Sequence, residues 1–275
     1  MSATPVALEQ NRELKTAVAA RASKRIDLGM FAGILVAFTA LIAGVATTGV
    51  KLSYFVQPSG ILIVFGGTFG VTLVTTPRHA LRNAAARVFS LIWERPANRS
   101  ELIAEILACI RVARTRGLVG IEPMLEKIGH PFLRDTLRLS LDVQRGEFQT
   151  AIETKLRLRE RGGEADAKTF EVAGGFAPTI GVLGTVVGLV DVLRRFSDVP
   201  SVAGGVGMAF ASTLYGLGLA NLLLLPLAHR IRATVAEQFE TGELILEGAL
   251  CLLDGVHPSL VPERLNAFLR EEQTP

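Results

Sequence analysis

Cysteine and histidine are scarce here, with two and four in 275 residues, and none stands at a ligand spacing. Cys109 and Cys251 are isolated and far apart, which excludes a disulfide framework and a thiolate metal site. His79, His130, His229 and His257 are equally scattered. A P-loop lysine pattern is missing. The glycines around Gly181 lack the preceding strand and the ribose-binding acid that a dinucleotide fingerprint needs. These absences argue against an ATPase or a metalloenzyme, and the chain reads as no enzyme, with no cofactor of its own. Neither an internal repeat nor a low-complexity segment is present. The most telling absence is inside the long apolar runs, where no Asp, Glu, Lys, Arg or His occupies a central position.

Four such runs stand out: Leu28 to Val50, Pro58 to Thr76, Val172 to Val192 and Val206 to Ala228. Each is close to the ~20 residues that a helix needs to cross a bilayer. With 49% hydrophobic residues and a mean hydropathy of +0.39, the chain has more apolar material than one soluble domain of its length needs. The first run is longer than a signal-peptide core of ~7–15 residues and precedes three more, so it reads as a retained span. The fold expected is all-α and polytopic, with four transmembrane helices and a helical cytoplasmic domain.

Basic residues set the orientation, because cytoplasmic segments near membrane spans carry excess Lys and Arg. Arg12, Lys15, Arg21, Lys24 and Arg25 precede the first run, and 17 of the 29 basic residues lie between Arg78 and Lys168. Both segments are expected inside. The short connections Lys51 to Gln57 and Ser197 to Gly205 carry almost no charge and are expected outside, so both termini are cytoplasmic. The formal charge of +3 is topological and marks no nucleic-acid partner. The organisation read from this is an arm over 1–25, spans one and two over 26–77, a helical cytoplasmic domain over 78–170, spans three and four over 171–229, and a helix and tail over 230–275.

The cytoplasmic region repeats apolar residues at helical spacing. Ser100 is the expected N-cap of a helix through Leu102, Ile103, Ile106, Leu107 and Ile110. Pro131 to Val143 and Phe148 to Leu158 read as two further helices separated by Arg145-Gly146. Ala165 to Val192 reads as one long helix entering the membrane. A pattern from Val235 to Leu252 reads as another leaving it, so that the two form a stalk.

The run GGFAPTIGVLGTVVGLV, Gly174 to Val190, holds five glycines, a proline and two threonines. Such poor helix formers suit a membrane helix that packs closely on others, because association in lipid relies on small residues. Small-x-x-x-small spacings recur in the spans: Gly29 with Gly33, Gly66 with Gly70, Gly184 with Gly188, and Ser212 with Gly216 and Ala220. At ~1.5 Å per residue, Thr185 and Thr213 both lie roughly 20 Å from the inner surface. Their hydroxyls either bond back to their own helices or line a path and replace part of an ion's water. Pro178 and Pro226, near the inner ends of their spans, each remove a backbone hydrogen bond and leave either a hinge or a static kink. Ion-coupled machines place an ionisable group within the membrane. If this chain conducts, a partner must supply it.

Four motifs, PSGILIVFGGTFGVTLV, FAPTIGVLGTVVGLVDVL, MAFASTLYGLGLANLLLLPLA and HPSLVPERLNAFL, carry a resemblance to the MotA family of bacterial flagellar stators. That family is related to the ExbB and TolQ energisers, which usually have three spans, so the extra amino-terminal run favours the stator branch. The resemblance covers roughly Ile26 to Leu269. It implies five copies in the bacterial inner membrane around two copies of a MotB-like partner whose single span carries the ion-binding aspartate. It also implies torque on the rotor protein FliG as ions, H+ or Na+, pass. By motif position, Pro178 and Pro226 match the family's functional prolines, and Thr185 and Thr213 its polar positions beside the pore. RTRGLVGIE resembles the charged stretch that engages the rotor, which implies that role for Arg114 and Glu122 and extends it to Arg111 and Arg116. The plain reading of that stretch is a solvated helix end. Competing functions are an energiser of another envelope process, an autonomous channel or transporter, and a structural scaffold.

Overall fold

The computed structural model describes residues 28–49, 52–93, 97–195 and 197–270. The amino-terminal arm and its basic residues lie outside them. Every regular element among the described residues is helical. Those of eight or more residues begin with α1 (Leu28–Thr47), α2 (Pro58–Thr75, with a wide π-type turn over Leu62–Gly66), α3 (Arg78–Trp93) and α4 (Arg99–Arg116). Then come α5 (Pro131–Asp142), α6 (Arg145–Arg194), α7 (Val199–Leu253, widened over Leu219–Leu224) and α8 (Val261–Arg270).

Three helices, α2, α6 and α7, are long and apolar enough to cross a membrane. Within α1 the apolar stretch Leu35–Thr47 is shorter than a span. α6 and α7 form an antiparallel hairpin of 50 and 55 residues, about 75–80 Å long at ~1.5 Å per residue. One end is apolar and packs α2 alongside. The other is clad by α4, α5 and α8 around a core that includes Ile106, Leu133, Phe148, Ile152, Leu244 and Leu265.

Two expectations change. The cap of α4 is Asn98, whose side chain accepts the Glu101 N–H at 3.4 Å. The cap sits two residues before Ser100 because Arg99 is thereby carried into the first turn. There it is only 4% exposed, bonding Glu240 at 2.6 Å and the Phe268 carbonyl at 3.0 Å. The expected break at Arg145-Gly146 is the first turn of α6, so Phe148 to Leu158 and the membrane segment are one helix. A helical glycine costs only ~1 kcal/mol, and the glycines inside this helix give room. A Cβ on Gly163 would collide with the Val235 side chain of α7.

Packing in the apolar half also runs through glycine. A Cβ on Gly216 would stand 2.6 Å from the Ala177 carbonyl, and one on Gly188 would stand 2.8 Å from both Ala209 N and the Gly205 carbonyl. On Gly184 it would meet Ser212 Cβ at 2.6 Å. Gly66 and Gly70, by contrast, face open space within this chain, as does Gly33. The glycines of α2 that touch its neighbours are Gly60, against Ser212, and Gly67, against Ile180.

Where the apolar half ends, charges pair across the hairpin. Arg232 of α7 bonds Glu164 at 3.0 Å and also Glu171, both on α6, and Lys168 reaches Glu171 at 3.2 Å. Arg87 of α3 bonds Asp166 at 3.1 Å, beside an apolar cluster of Leu91, Ala167, Ile231 and Val235. A buried carboxylate such as Asp166, 6% exposed, is tolerable only with such a partner. The hydrogen bond from Arg232 holds the Glu171 carboxyl at about 2 despite the opposing effect of partial burial, with Lys168 adding to it.

Two outcomes follow from this packing and pairing. Gly216→Val should lower the unfolding temperature of the purified protein by wedging α6 from α7, at about 1–3 kcal/mol, whereas Gly66→Ala should leave it within ~0.5 kcal/mol; equal effects would contradict the packing described. The folded-state carboxyl of Glu171 lies below its ordinary 4.5, so its stabilisation is present above that value and is lost as pH falls toward 2. In Glu171→Gln the decline of stability between pH 4.5 and 2 should be shallower than in the parent, which an acid titration of thermal unfolding would read.

Candidate functional site

Thr185 on α6 and Thr213 on α7 meet. Their hydroxyl oxygens are 2.6 Å apart. Thr185 Oγ1 also lies 3.1 Å from the Ala209 carbonyl and 3.2 Å from that of Gly181, and Thr213 Oγ1 is 3.5 Å from the Ala209 carbonyl. The contact is possible because Gly181, Gly184 and Gly188 on the α6 side bring the two backbones together within a turn of it. Each hydroxyl has one proton and two lone pairs. Two protons shared over these acceptors leave oxygen lone pairs unfilled on a half-buried pair that reaches the surface of the chain.

Its surroundings are apolar. Val182, Val186 and Leu189 on α6 are all about half exposed. The nearest formal charges along α6 are Glu171 below and Asp191 above, the latter paired with Arg195 at 3.2 Å. The pair offers neutral oxygen ligands with no counter-charge in the same stretch. Neutral oxygens alone lower the barrier for a passing cation or water chain, but they do not neutralise it in a low-dielectric medium.

Pro178 lies inside α6 two turns below Thr185. Its Cα is 3.2 Å from where a Gly216 Cβ would stand, so Gly216 is what admits the proline face to α7. Pro226 opens the regular helix that follows the wide turn Leu219–Leu224. Widening there relieves the clash between a proline ring and the carbonyl four residues earlier. Leu225, beside Pro226, packs on Gly174, which puts Pro226 about one helical turn, ~5 Å, nearer the polar domain than Pro178.

Arg111, Arg114, Arg116 and Glu122 lie in the polar domain at the opposite end of the hairpin. All four are exposed. The arginines occupy the last two turns of α4, and Gly117, at φ 78°, turns the chain before Glu122. Leu118 and Val119, 37% and 73% exposed, form an apolar tip between them.

Tyr215 escaped the sequence reading, which marked Ser212 only as a small residue in line with Gly216. The Tyr215 hydroxyl accepts the Gln57 N–H at 3.0 Å and donates to the Phe55 carbonyl, fastening the segment before α2 to α7. Ser212 is fully buried where Gly60 of α2 and Gly184 of α6 converge, and its hydroxyl donates to the Met208 carbonyl at 2.8 Å. Small-residue spacing marks Ser212, but nothing in a one-dimensional pattern tells which neighbour it meets.

Residues 124–243 match the MotA/TolQ/ExbB proton channel family. The chain is 29% identical over 246 residues to Motility protein A of Bacillus subtilis (strain 168), covering 89% of this chain and 91% of that one. It is 27% identical over 250 residues to the chemotaxis protein PomA of Vibrio alginolyticus, covering 90% and 96%. Its fold superimposes on the flagellar MotAB stator complex from Bacillus subtilis with a TM-score of 0.82 and 28% identity, over 88% of this chain and 96% of that one. Through residues 124–243, and along most of its length to these relatives, the chain is similar to the MotA/TolQ/ExbB proton channel family and to flagellar stator subunits.

Proposed function

We propose that this chain is a flagellar motor stator subunit that, with a MotB-like partner, converts ion flow into torque on the rotor. The observation that carries this is the 2.6 Å contact of the Thr185 and Thr213 hydroxyls in a hairpin whose apolar part has no central charge. Such a wall conducts only if a carboxylate stands opposite it, and an aspartate on the partner's single span supplies that charge. Five copies in the inner membrane surround two partner chains, each copy with four spans, α1 completing the set, and with both termini in the cytoplasm. The lack of central charge disfavours an autonomous channel, and the relatives named for motility favour a stator over another envelope energiser.

The conducted ion is a proton, the commoner coupling in the wider family. As the partner's aspartate is neutralised and recharged, the hairpin bends at Pro178 and Pro226, where the backbone ladder is already broken. Below them the ion pairs of Arg232 and Arg87 carry the motion into the polar domain, where Arg111, Arg114, Arg116 and Glu122 face FliG.

Cells lacking their own stators should rotate when tethered and supplied with this chain and its cognate partner; an intact complex without rotation would reject the stator reading. Thr213→Val and Thr185→Val each remove one oxygen ligand, worth ~1 kcal/mol, and should slow rotation about five-fold at low load, with Thr→Ser nearly neutral. Speed in sodium-free buffer should be unchanged for proton coupling. Arg114→Glu should reduce torque without changing ion flux, and unchanged torque would remove Arg114 from the rotor contact.

A further inference from the structure

Two residues, Thr76 and Pro77, separate the end of α2 from the start of α3, at the level where the apolar half of the hairpin gives way to charge. Its 16 residues, RHALRNAAARVFSLIW, include no acid. One stripe, with Ala84 and Leu91 buried, packs on α6 and α7, and Arg87 on that side is held by Asp166. The opposite stripe, Arg78, Arg82, Ala85 and Phe89, is exposed, with Phe89 at 68%. Neither Arg78 nor Arg82 makes an ion pair among the described residues. The preceding helix, α2, shows an uncovered apolar wall towards its end, in which Phe69 is 65%, Leu73 46% and Val74 87% exposed.

An apolar wall followed by two guanidinium groups at the polar boundary has the order of polarity of a phospholipid, tail beside tail and cation beside phosphate. A second copy of the chain fits this face poorly. The carboxylates that α6 carries at this level, Glu164, Asp166 and Glu171, are each committed to Arg232, Arg87 or Lys168 of the same chain. Between Asn221 and Ala236, α7 carries no carboxylate at all. Another copy would bring Arg78 and Arg82 no carboxylate from α6 or α7 at this level that is not already paired. The lipid leaflet on the polar-domain side offers the missing negative charge.

We infer that Arg78 and Arg82 of α3, with the Phe69–Leu73–Val74 wall of α2, form a binding site for an anionic phospholipid. The lipid fixes the tilt of α3, which is tied through Arg87 to α6, and so holds the base of the hairpin at the bilayer surface. This requires only that the chain sits in a membrane. A complex that bound the lipid but turned no rotor would leave it standing.

The test is the affinity of the purified complex, chain with partner in neutral detergent, for a fluorescent phosphatidylglycerol. Each arginine near a charged lipid surface contributes enough for about a five-fold change. Arg78→Gln with Arg82→Gln should therefore weaken binding roughly twenty-five-fold, whereas Arg138→Gln on α5 should leave it unchanged and the double Arg→Lys variant should retain most of it. Phosphatidylcholine should bind far more weakly. Unaltered binding by the double Gln variant would overturn the site, as would equal binding of phosphatidylcholine. Competition by millimolar inorganic phosphate would make it a free-anion site. Efficient disulfide cross-linking between copies carrying Arg82→Cys in native membranes would show that a second copy covers the face.

Discussion

Two helices in lipid gain little from burying apolar side chains against each other, because the solvent they leave is equally apolar. What holds α6 to α7 is contact at atomic distance, and that contact exists only where side chains are missing. Gly188 against Ala209 and Gly205, Gly216 against Ala177 and Gly181, and Gly184 under Ser212 set the backbones close enough to touch. The hydroxyl contact of Thr185 with Thr213 depends on this spacing. So does the place of Pro178, whose helix face lies against the bare Gly216.

A second constraint is the distribution of charge. The apolar half has none at its centre, while the level just below it has Arg232 with Glu164, Glu171 and Lys168 in one group and Arg87 with Asp166 in another. These pairs cross from α6 to α7 and to α3, so the hairpin is stiffened where it leaves the membrane. The prolines lie above that level. The backbone ladder is therefore interrupted above the level at which the two helices are tied by charge.

Much of this was legible in one dimension. Apolar runs marked α2 and the membrane halves of α6 and α7, and counting ~1.5 Å per residue put Thr185 and Thr213 at one height. The glycine spacing pointed to close packing, and charge asymmetry separated the two ends of the chain. Other features were not legible. Arg145-Gly146 looks like a break, yet Phe148 and Ile152 are buried in the polar core, and that burial outweighs a weak glycine in the first turn. Ser100 is as good a cap as Asn98 by type, and the choice between them follows from Arg99 reaching Glu240 and Phe268, residues far away in sequence. Tyr215 could not be connected to Phe55 and Gln57 from its position alone.

By itself the sequence determined the helical class, the apolar segments, the uncharged centre of those segments and the height of each polar residue along them, because all of these depend on helical rise and side-chain type. The tertiary structure alone decided which faces meet: that Gly216 rather than Gly66 lies at a helix contact, that the two threonines point at each other, and that Arg232 reaches two carboxylates on α6. A repeat of small residues says that a helix can be approached closely. It does not say from which side, since rotation about the helix axis is set by all the neighbours at once.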